Sequence, residues 1–392
     1  MGFELKVVED LAVSLRDGPP LLQILVGPRQ VGKTTAAWDL ARCLAWPVVF
    51  EAADLAPPPG PEWIETQWQR ARALRHRPAL LVLDEIQKVP GWSVTVKRLW
   101  DEERRRADPI SVVLLGSSSL QLAQGMSESL AGRFLLHRCM HWSFPEVATA
   151  FGMSLDEWIY FGGYPGAAPF RENEARWARY IADSLIETAI ARDVLQMHTV
   201  AKPALLRSLF GLAATHPSQI LSWNKMLGQL VDAGNTTTLS HYADLLETAF
   251  LLSALPLYSA GTARKRAGSP KLILWNNALV SAFCGRSQAA ARADGPWWGR
   301  LVENAVGLHL LNQLPRESYA VSYWREGPLE VDFVVTRGQE IWGLEVKSGR
   351  PGRVPGLAAF RERHPRARGL VIGSGGIPLE DFFSRPVWDW FG

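Results

Sequence analysis

The stretch Gly27-Pro28-Arg29-Gln30-Val31-Gly32-Lys33-Thr34-Thr35, directly behind the apolar run Leu22-Gln23-Ile24-Leu25-Val26, constrains this chain more than any other. It fits G-x-x-x-x-G-K-[ST], the phosphate-binding loop pattern. The apolar run reads as a buried strand, and Thr34 to Leu44 carries apolar residues at helical spacing. In that order, glycines let backbone N–H groups close around phosphate oxygens, and the helix N-terminus adds its partial positive charge. Gly27 to Thr35 is thus the expected cradle, with Lys33 reaching the β- and γ-phosphates and the Thr34 hydroxyl holding Mg²⁺. A glycine-rich turn that binds nothing has the same spacing but needs no strand before it or helix after it.

The next strand-like runs agree. Pro47 to Phe50 reads as a short strand, Ala56 to Pro61 as a proline-rich loop, and Trp63 to Arg77 as a helix. Ala79-Leu80-Leu81-Val82-Leu83 then delivers Asp84 and Glu85, a buried strand ending in two acids. Asp84 is expected in the Mg²⁺ shell and Glu85 beside an attacking water. Ser111 to Leu115 is another buried strand, ending in Gly116-Ser117-Ser118-Ser119, where Ser117 is placed to sense the γ-phosphate. Alternating β and α elements predict a doubly wound parallel sheet with nucleotide at the carboxyl ends of its strands.

At 392 residues the chain is long enough for two or three cores. A net charge of +3 permits a nucleic-acid partner without arguing for one, so any basic surface must be local. Cys43, Cys139 and Cys284 are far apart and odd in number, which gives neither a disulfide framework nor a metal-ligand spacing. No apolar run reaches membrane-spanning length, and Met-Gly-Phe-Glu-Leu-Lys lacks signal-peptide order, so a cytoplasmic protein is expected.

Taken together, Gly27 to Thr35, Leu83 to Trp92, Gly116 to Ser119, Glu128 to Arg133, Trp142 to Glu146 and Gly162 to Pro165 resemble one family of prokaryotic ATPases. That family joins an AAA+-type ATPase core, the AAA_14 domain, to a C-terminal region called DUF4143. The resemblance covers nearly the whole chain, and it implies ATP and Mg²⁺ as cofactors. Leu115 departs from it, because the family usually has threonine before Gly-Ser. Arg133 has two readings: a finger reaching the γ-phosphate of its own or a neighbouring subunit, or a structural arginine paired with acids. The first reading allows self-association through Arg133.

Ser154 to Ala214 reads as helices broken at Gly162-Gly163-Tyr164-Pro165. From Ser218 the features are those of a winged helix: a helix over Trp223 to Val231, a turn at Asp232 to Asn235, a helix over Thr236 to Leu255, and a hairpin from Pro256 to Trp275. Arg264-Lys265-Arg266 at the hairpin tip would set basic side chains on a wing for DNA, or simply be solvated.

The last part carries a second constellation. Gly299 to Leu310 reads as a helix with apolar residues at 301, 302, 305, 306, 308 and 310, bearing Glu303. Tyr323 to Arg325 and Glu330 to Val335 read as strand, with Glu330 and Asp332 on one face. After the turn at Arg337-Gly338, Ile341 to Lys347 puts Glu345 and Lys347 on one face and Val346 in the core. An acid, then acid-x-lysine on the hairpin partner, is the pattern of the PD-(D/E)XK nuclease fold. Asp332 and Glu345 would hold Mg²⁺, Lys347 would activate water, and Glu303 would add a further acid.

The expected architecture is therefore α/β throughout. A P-loop NTPase domain of AAA+ type spans residues 1–150, a helical linker and winged-helix-like domain 151–290, and a PD-(D/E)XK nuclease-like domain 291–392. Two functions suit it: an ATPase coupled to a metal-dependent DNA-processing site, or a nucleotide-driven switch whose nuclease fold only binds DNA or protein.

Overall fold

Five all-parallel strands form the first of two compact units into which the chain divides, Met1–Met140 and His141–Gly392. The structure is a computed structural model and describes residues 5–74, 78–117, 129–195, 200–232, 234–259 and 268–392. The first unit runs α1 (Lys6–Asp17), β1 (Leu22–Gly27), α2 (Lys33–Leu44), β2 (Val48–Ala52), α3 (Pro61–Arg72), β3 (Leu80–Asp84), α4 (Trp92–Glu103), β4 (Ser111–Ser117) and β5 (Phe134–Arg138). Helix α3 begins two residues before the expected Trp63, because the fixed φ of Pro61 suits a first helical turn.

The strand order is β2-β3-β4-β1-β5. Strands β1 and β3 are buried along their whole length, as continuous apolar runs in a sheet covered on both faces should be. Strand β4 separates them, and Gly27 pairs with Ser117 in register. The carboxyl ends of β1, β3 and β4 therefore open on one edge of the sheet.

The second unit is helical at first, with Phe144–Phe151 and Leu155–Phe161 ended by Gly162 at φ 72°. Glu174–Tyr180 continues into wider π-helical turns over Ile181–Ile186 and Ala189–Leu195. Helices Pro203–Thr215, Trp223–Leu227 and Thr236–Thr248 follow, and then the antiparallel pair β6 (Leu252–Leu255) and β7 (Lys271–Leu274). Two expectations are corrected here. The helix expected to reach Val231 stops at Leu227, and the one expected to reach Leu255 stops at Thr248. Phe250 takes a left-handed φ of 53°, which no helix continues through, and the buried Leu252 and Leu255 pair with β7 instead. Arg264, Lys265 and Arg266, like Ser118, Ser119 and Glu128, lie outside the described residues.

Helix Gly295–Gln313 packs against a sheet of order β11-β10-β9-β8, built from β8 (Ala320–Glu326), β9 (Leu329–Arg337), β10 (Glu340–Lys347) and β11 (Arg368–Gly373). Strands β8, β9 and β10 are antiparallel neighbours. Strand β11 joins β10 in parallel, after the helix Pro355–Arg363. Tyr323 to Arg325 and Glu330 to Val335 thus belong to two strands, separated at Gly327, whose φ is 58°. Val346 is only half-buried, in contrast to the expectation; the core on its face of β10 is filled by Trp342 and Leu344. Among the described residues no helix is long and apolar enough to cross a membrane.

Candidate nucleotide and metal sites

The loop from Gly27 to Gly32 turns from β1 into α2, and its two motif glycines have separate reasons to be glycine. A Cβ on Gly27 would stand 1.8 Å from the Cys139 carbonyl oxygen. Gly32 sits at φ 93°, and a Cβ there would meet nothing within 4 Å, so its positive φ alone calls for glycine. No side chain caps α2, and no acid stands in its first turn. An anion is the natural occupant of such a helix start.

Lys33 is buried, and its Nζ donates to the carbonyl oxygens of Gly27 and Pro28 at 2.9 and 2.6 Å. The Thr34 hydroxyl donates to Asp84 Oδ2 at 2.7 Å, while Asp84 Oδ1 accepts from the Glu85 N–H at 2.8 Å. Residues 50 apart in sequence are thereby joined, and hydroxyl plus carboxylate is the hard-oxygen donor set that suits Mg²⁺. Glu85 holds a left-handed φ of 53°, and its Oε2 accepts from Gln87 Nε2 at 2.7 Å. Arg29, Gln30, Val31 and Thr35 fall in the same loop and first helical turn. The Ser117 backbone ends β4 beside Gly27; its side chain lies outside the described residues.

Arg133 stands elsewhere. Its carbonyl accepts from the Leu22 N–H at 2.9 Å, at the start of β1, whereas the phosphate loop follows the end of β1. Five strand steps of about 3.3 Å separate the two ends by about 16 Å, beyond an arginine's reach. Arg133 also grips Asp101 with two bonds, Nε to Oδ1 at 2.8 Å and Nη2 to Oδ2 at 3.1 Å, which holds the Asp101 carboxyl below its ordinary range. The version in which Arg133 serves its own subunit's nucleotide is corrected by this geometry.

The acids of the second unit gather around a residue that sequence reasoning missed. Lys271, first residue of β7, is fully buried, with Nζ 2.5 Å from Glu303 Oε1, 3.3 Å from Glu330 Oε1 and 3.5 Å from Asp332 Oδ1. It also donates to the Asp332 carbonyl at 3.1 Å. Burial alone would lower the lysine, but Glu303, Asp332 and Glu330 outweigh it and hold the ammonium above its ordinary range. Burial pushes Glu303 up to about 8, against the pull of Lys271 and with added repulsion from Asp332 and Glu330.

Glu345 and Lys347 do share a face, joined by a 2.6 Å contact from Nζ to Oε1. Asp332 lies within electrostatic range, and burial followed by that neighbour raises the Glu345 carboxyl. Asp332 Oδ2 accepts from the Val346 N–H at 2.7 Å, while the buried Glu345 Oε2 has no hydrogen-bond partner. Four acids, Glu303, Glu330, Asp332 and Glu345, stand against two lysines, and the raised Glu303 and Glu345 carboxyls lessen that imbalance by holding protons more readily. The orphaned Glu345 oxygen, beside Asp332, fits a divalent cation at these two acids. Among the described residues, however, no three His, Cys, Asp or Glu side chains converge as a ligand set.

The position of Lys271 is fixed from the helix that carries Glu303. The neighbouring Asn304 is buried; its Oδ1 accepts from the Leu274 N–H at 3.0 Å, and its Nδ2 donates to the Leu274 carbonyl at 3.0 Å and to Asn277 Oδ1 at 2.7 Å. The sequence signal for Lys271 is slight: one lysine in phase with the apolar strand Leu272-Ile273-Leu274.

Comparison with known proteins follows the same division. Residues 20–148 match the AAA domain AAA_14, residues 153–290 a domain of unknown function, DUF8612, and residues 298–381 a domain of unknown function, DUF4143. The chain carries an AAA+-type ATPase core of the AAA_14 kind and a DUF4143 C-terminal region, as its motifs imply. No curated protein matches it. Among solved structures it is similar to the RuvB Holliday junction branch migration motor of Thermotoga maritima, at 15% identity, covering 65% of this chain and 90% of that one, with a TM-score of 0.35. It is also similar to the ORC1 protein of Aeropyrum pernix, solved in complex with DNA, at 14% identity, covering 73% and 92%, with a TM-score of 0.30. Likenesses this distant carry nothing about what this chain binds.

Proposed function

We propose that the chain binds and hydrolyses ATP with Mg²⁺ in its first unit and couples this to a DNA-directed, divalent-ion site in its second. The Thr34–Asp84 hydrogen bond carries the ATPase part, because it brings the two Mg²⁺-binding groups together before any ion arrives. In this reading Gly27 to Thr35 wraps the phosphates, Lys33 leaves its carbonyl partners for the β- and γ-phosphates, and Ser117 senses the γ-phosphate. Mg²⁺ neutralises charge on the transferring phosphoryl group. Glu85 orients the attacking water, and its bond from Gln87 fixes the carboxylate for that role.

In the second unit, Asp332 and Glu345 hold Mg²⁺ and Lys347 positions water in a PD-(D/E)XK-like site. The winged-helix-like segment contacts DNA, its sequence carrying the basic run Arg264-Lys265-Arg266. A binding-only reading, in which the same fold grips DNA or a protein partner without cutting, is favoured by one observation: Lys271 occupies the heart of the acid cluster. A nicking assay on supercoiled, linear and branched DNA, with and without ATP, separates the two. Cleavage lost in Asp332→Asn and in Lys347→Ala, with DNA binding kept in the lysine variant, is the result expected of a nuclease. Wild-type protein that binds Mn²⁺ but cuts nothing belongs to the binding reading, and Asp332→Asn that cuts like wild type removes the site.

A further inference from the structure

Lys271 is unusual in being both wholly buried and shared among three acids from two elements, Glu303 on the helix Gly295–Gln313 and Glu330 and Asp332 on β9. It reaches them from β7, so the segment before the nuclease-like sheet supplies part of that sheet's charge balance. The asymmetry of its contacts matters. Glu303 is gripped at 2.5 Å, while Asp332 Oδ1 is 3.5 Å away and the Asp332 carbonyl accepts a bond of its own. The lysine therefore ties up Glu303 most tightly and leaves Asp332 turned toward the β10 side, where Glu345 has an oxygen without a partner.

We infer that Lys271 is a built-in cation: its ammonium keeps Glu303 and Glu330 out of any metal shell, so that the cluster takes one divalent ion, at Asp332 and Glu345, and not two. This rests on the proposed metal site. It goes beyond that site by giving its stoichiometry and assigning Lys271 as a positioning residue. A fixed ammonium among three carboxylates screens them from further cations, because an incoming ion meets its repulsion at close range. Removing its charge leaves Glu303, Glu330 and Asp332 mutually repelling and open to a second ion.

The experiment is a Mn²⁺ titration of the full nucleotide-free chain carrying Asp84→Asn, which silences the first unit's own ligand. Free Mn²⁺ is read by its electron paramagnetic resonance. One bound ion per chain is expected, and two in Lys271→Met, a neutral side chain of similar length. Unchanged stoichiometry in Lys271→Met overturns the inference and leaves the metal-site reading intact, as does a parent that already binds two. A parent that binds none removes the metal-site reading and the one-ion stoichiometry with it, whatever Lys271→Met does. Should Lys271→Met fail to fold, Glu303→Gln decides. It frees the ammonium toward Asp332 and should weaken the parent's ion about tenfold or more; an unchanged affinity counts against the role of Lys271.

Discussion

Around Gly27 to Thr35 the phosphate cradle belongs to one contiguous stretch, joined from outside by Asp84, and the backbone does most of the work: an uncapped helix start, a left-handed Gly32, and a lysine resting on loop carbonyls. Around Lys271 the charged groups come from β7, a helix, β9 and β10, and they are largely spent on one another. The first region is a backbone cradle whose helix start favours an anion. The second already contains two lysines against its four acids, and raised carboxyls at Glu303 and Glu345 lessen the remainder. A local motif can be built on an exposed sheet edge, where water solvates what the ligand does not. A buried cluster must balance itself or carry protons, since unpaired charge in a dry interior costs several kcal/mol per ion.

The largest expected effect tests the first half of that contrast. Lys33→Ala should cut ATP hydrolysis by roughly 10³-fold and weaken nucleotide binding, since it removes the one ammonium in the loop. Glu85→Gln should keep binding and stall turnover, because Asp84 and Thr34 still hold the ion. Steady-state phosphate release together with equilibrium binding of a fluorescent ATP analogue reads both. Turnover like wild type in Glu85→Gln would remove that residue from the mechanism.

The same contrast explains what was legible in the sequence. The phosphate loop, the strand ending in Asp84 and the parallel sheet could be read directly, because each is a local run with its own period and its own punctuation. The face shared by Glu345 and Lys347 was also legible, being a consequence of strand alternation. Lys271 was not, because its importance lies in residues 32 to 61 positions away that only the tertiary fold brings near. Strand β6, read as the end of a helix, was missed for a related reason. Leu252 to Leu255 continues an apolar helical spacing, and it becomes strand only because β7 is there to pair with it. The position of Arg133 at the far end of the sheet from the nucleotide required the register of β5 against β1.

That position yields an intermediate effect and a sharper version of the comparison, since it asks whether the first site is complete within one chain. If Arg133 reaches a neighbour's γ-phosphate, mixing Arg133→Ala with Lys33→Ala should restore part of the ATPase activity, because one kind of interface then has both groups intact. An inactive mixture leaves Arg133 as the partner of Asp101 and nothing more. Full ATPase activity in a strictly monomeric protein excludes the neighbour's finger outright. Folding should be little changed in Arg133→Ala, because the pair it loses is half-exposed and screened by solvent.

The smallest effect concerns how dry the second region is. His309 lies on the same helix as Glu303 and is packed against Trp158, Phe382 and Phe383. Burial pulls its imidazole down to about 3, against an ordinary value near 6.5. The folded state therefore requires the neutral ring, while the unfolded chain takes up a proton below about pH 6.5. The associated stability is fully present above that pH and is lost as pH falls from about 6.5 toward 3. At pH 5 the deficit is about 2 kcal/mol, from roughly 1.5 pH units at 1.36 kcal/mol each. Carboxylates titrate in the same range, so the informative quantity is a difference between proteins. Urea unfolding at pH 7 and pH 5 should show wild type losing about 2 kcal/mol more than His309→Leu, which cannot titrate. Equal losses would mean that water reaches His309 in the folded protein. A helix interior that wet would leave the cluster beside Lys271 less sealed than its contacts require, and the contrast with the open phosphate loop would narrow.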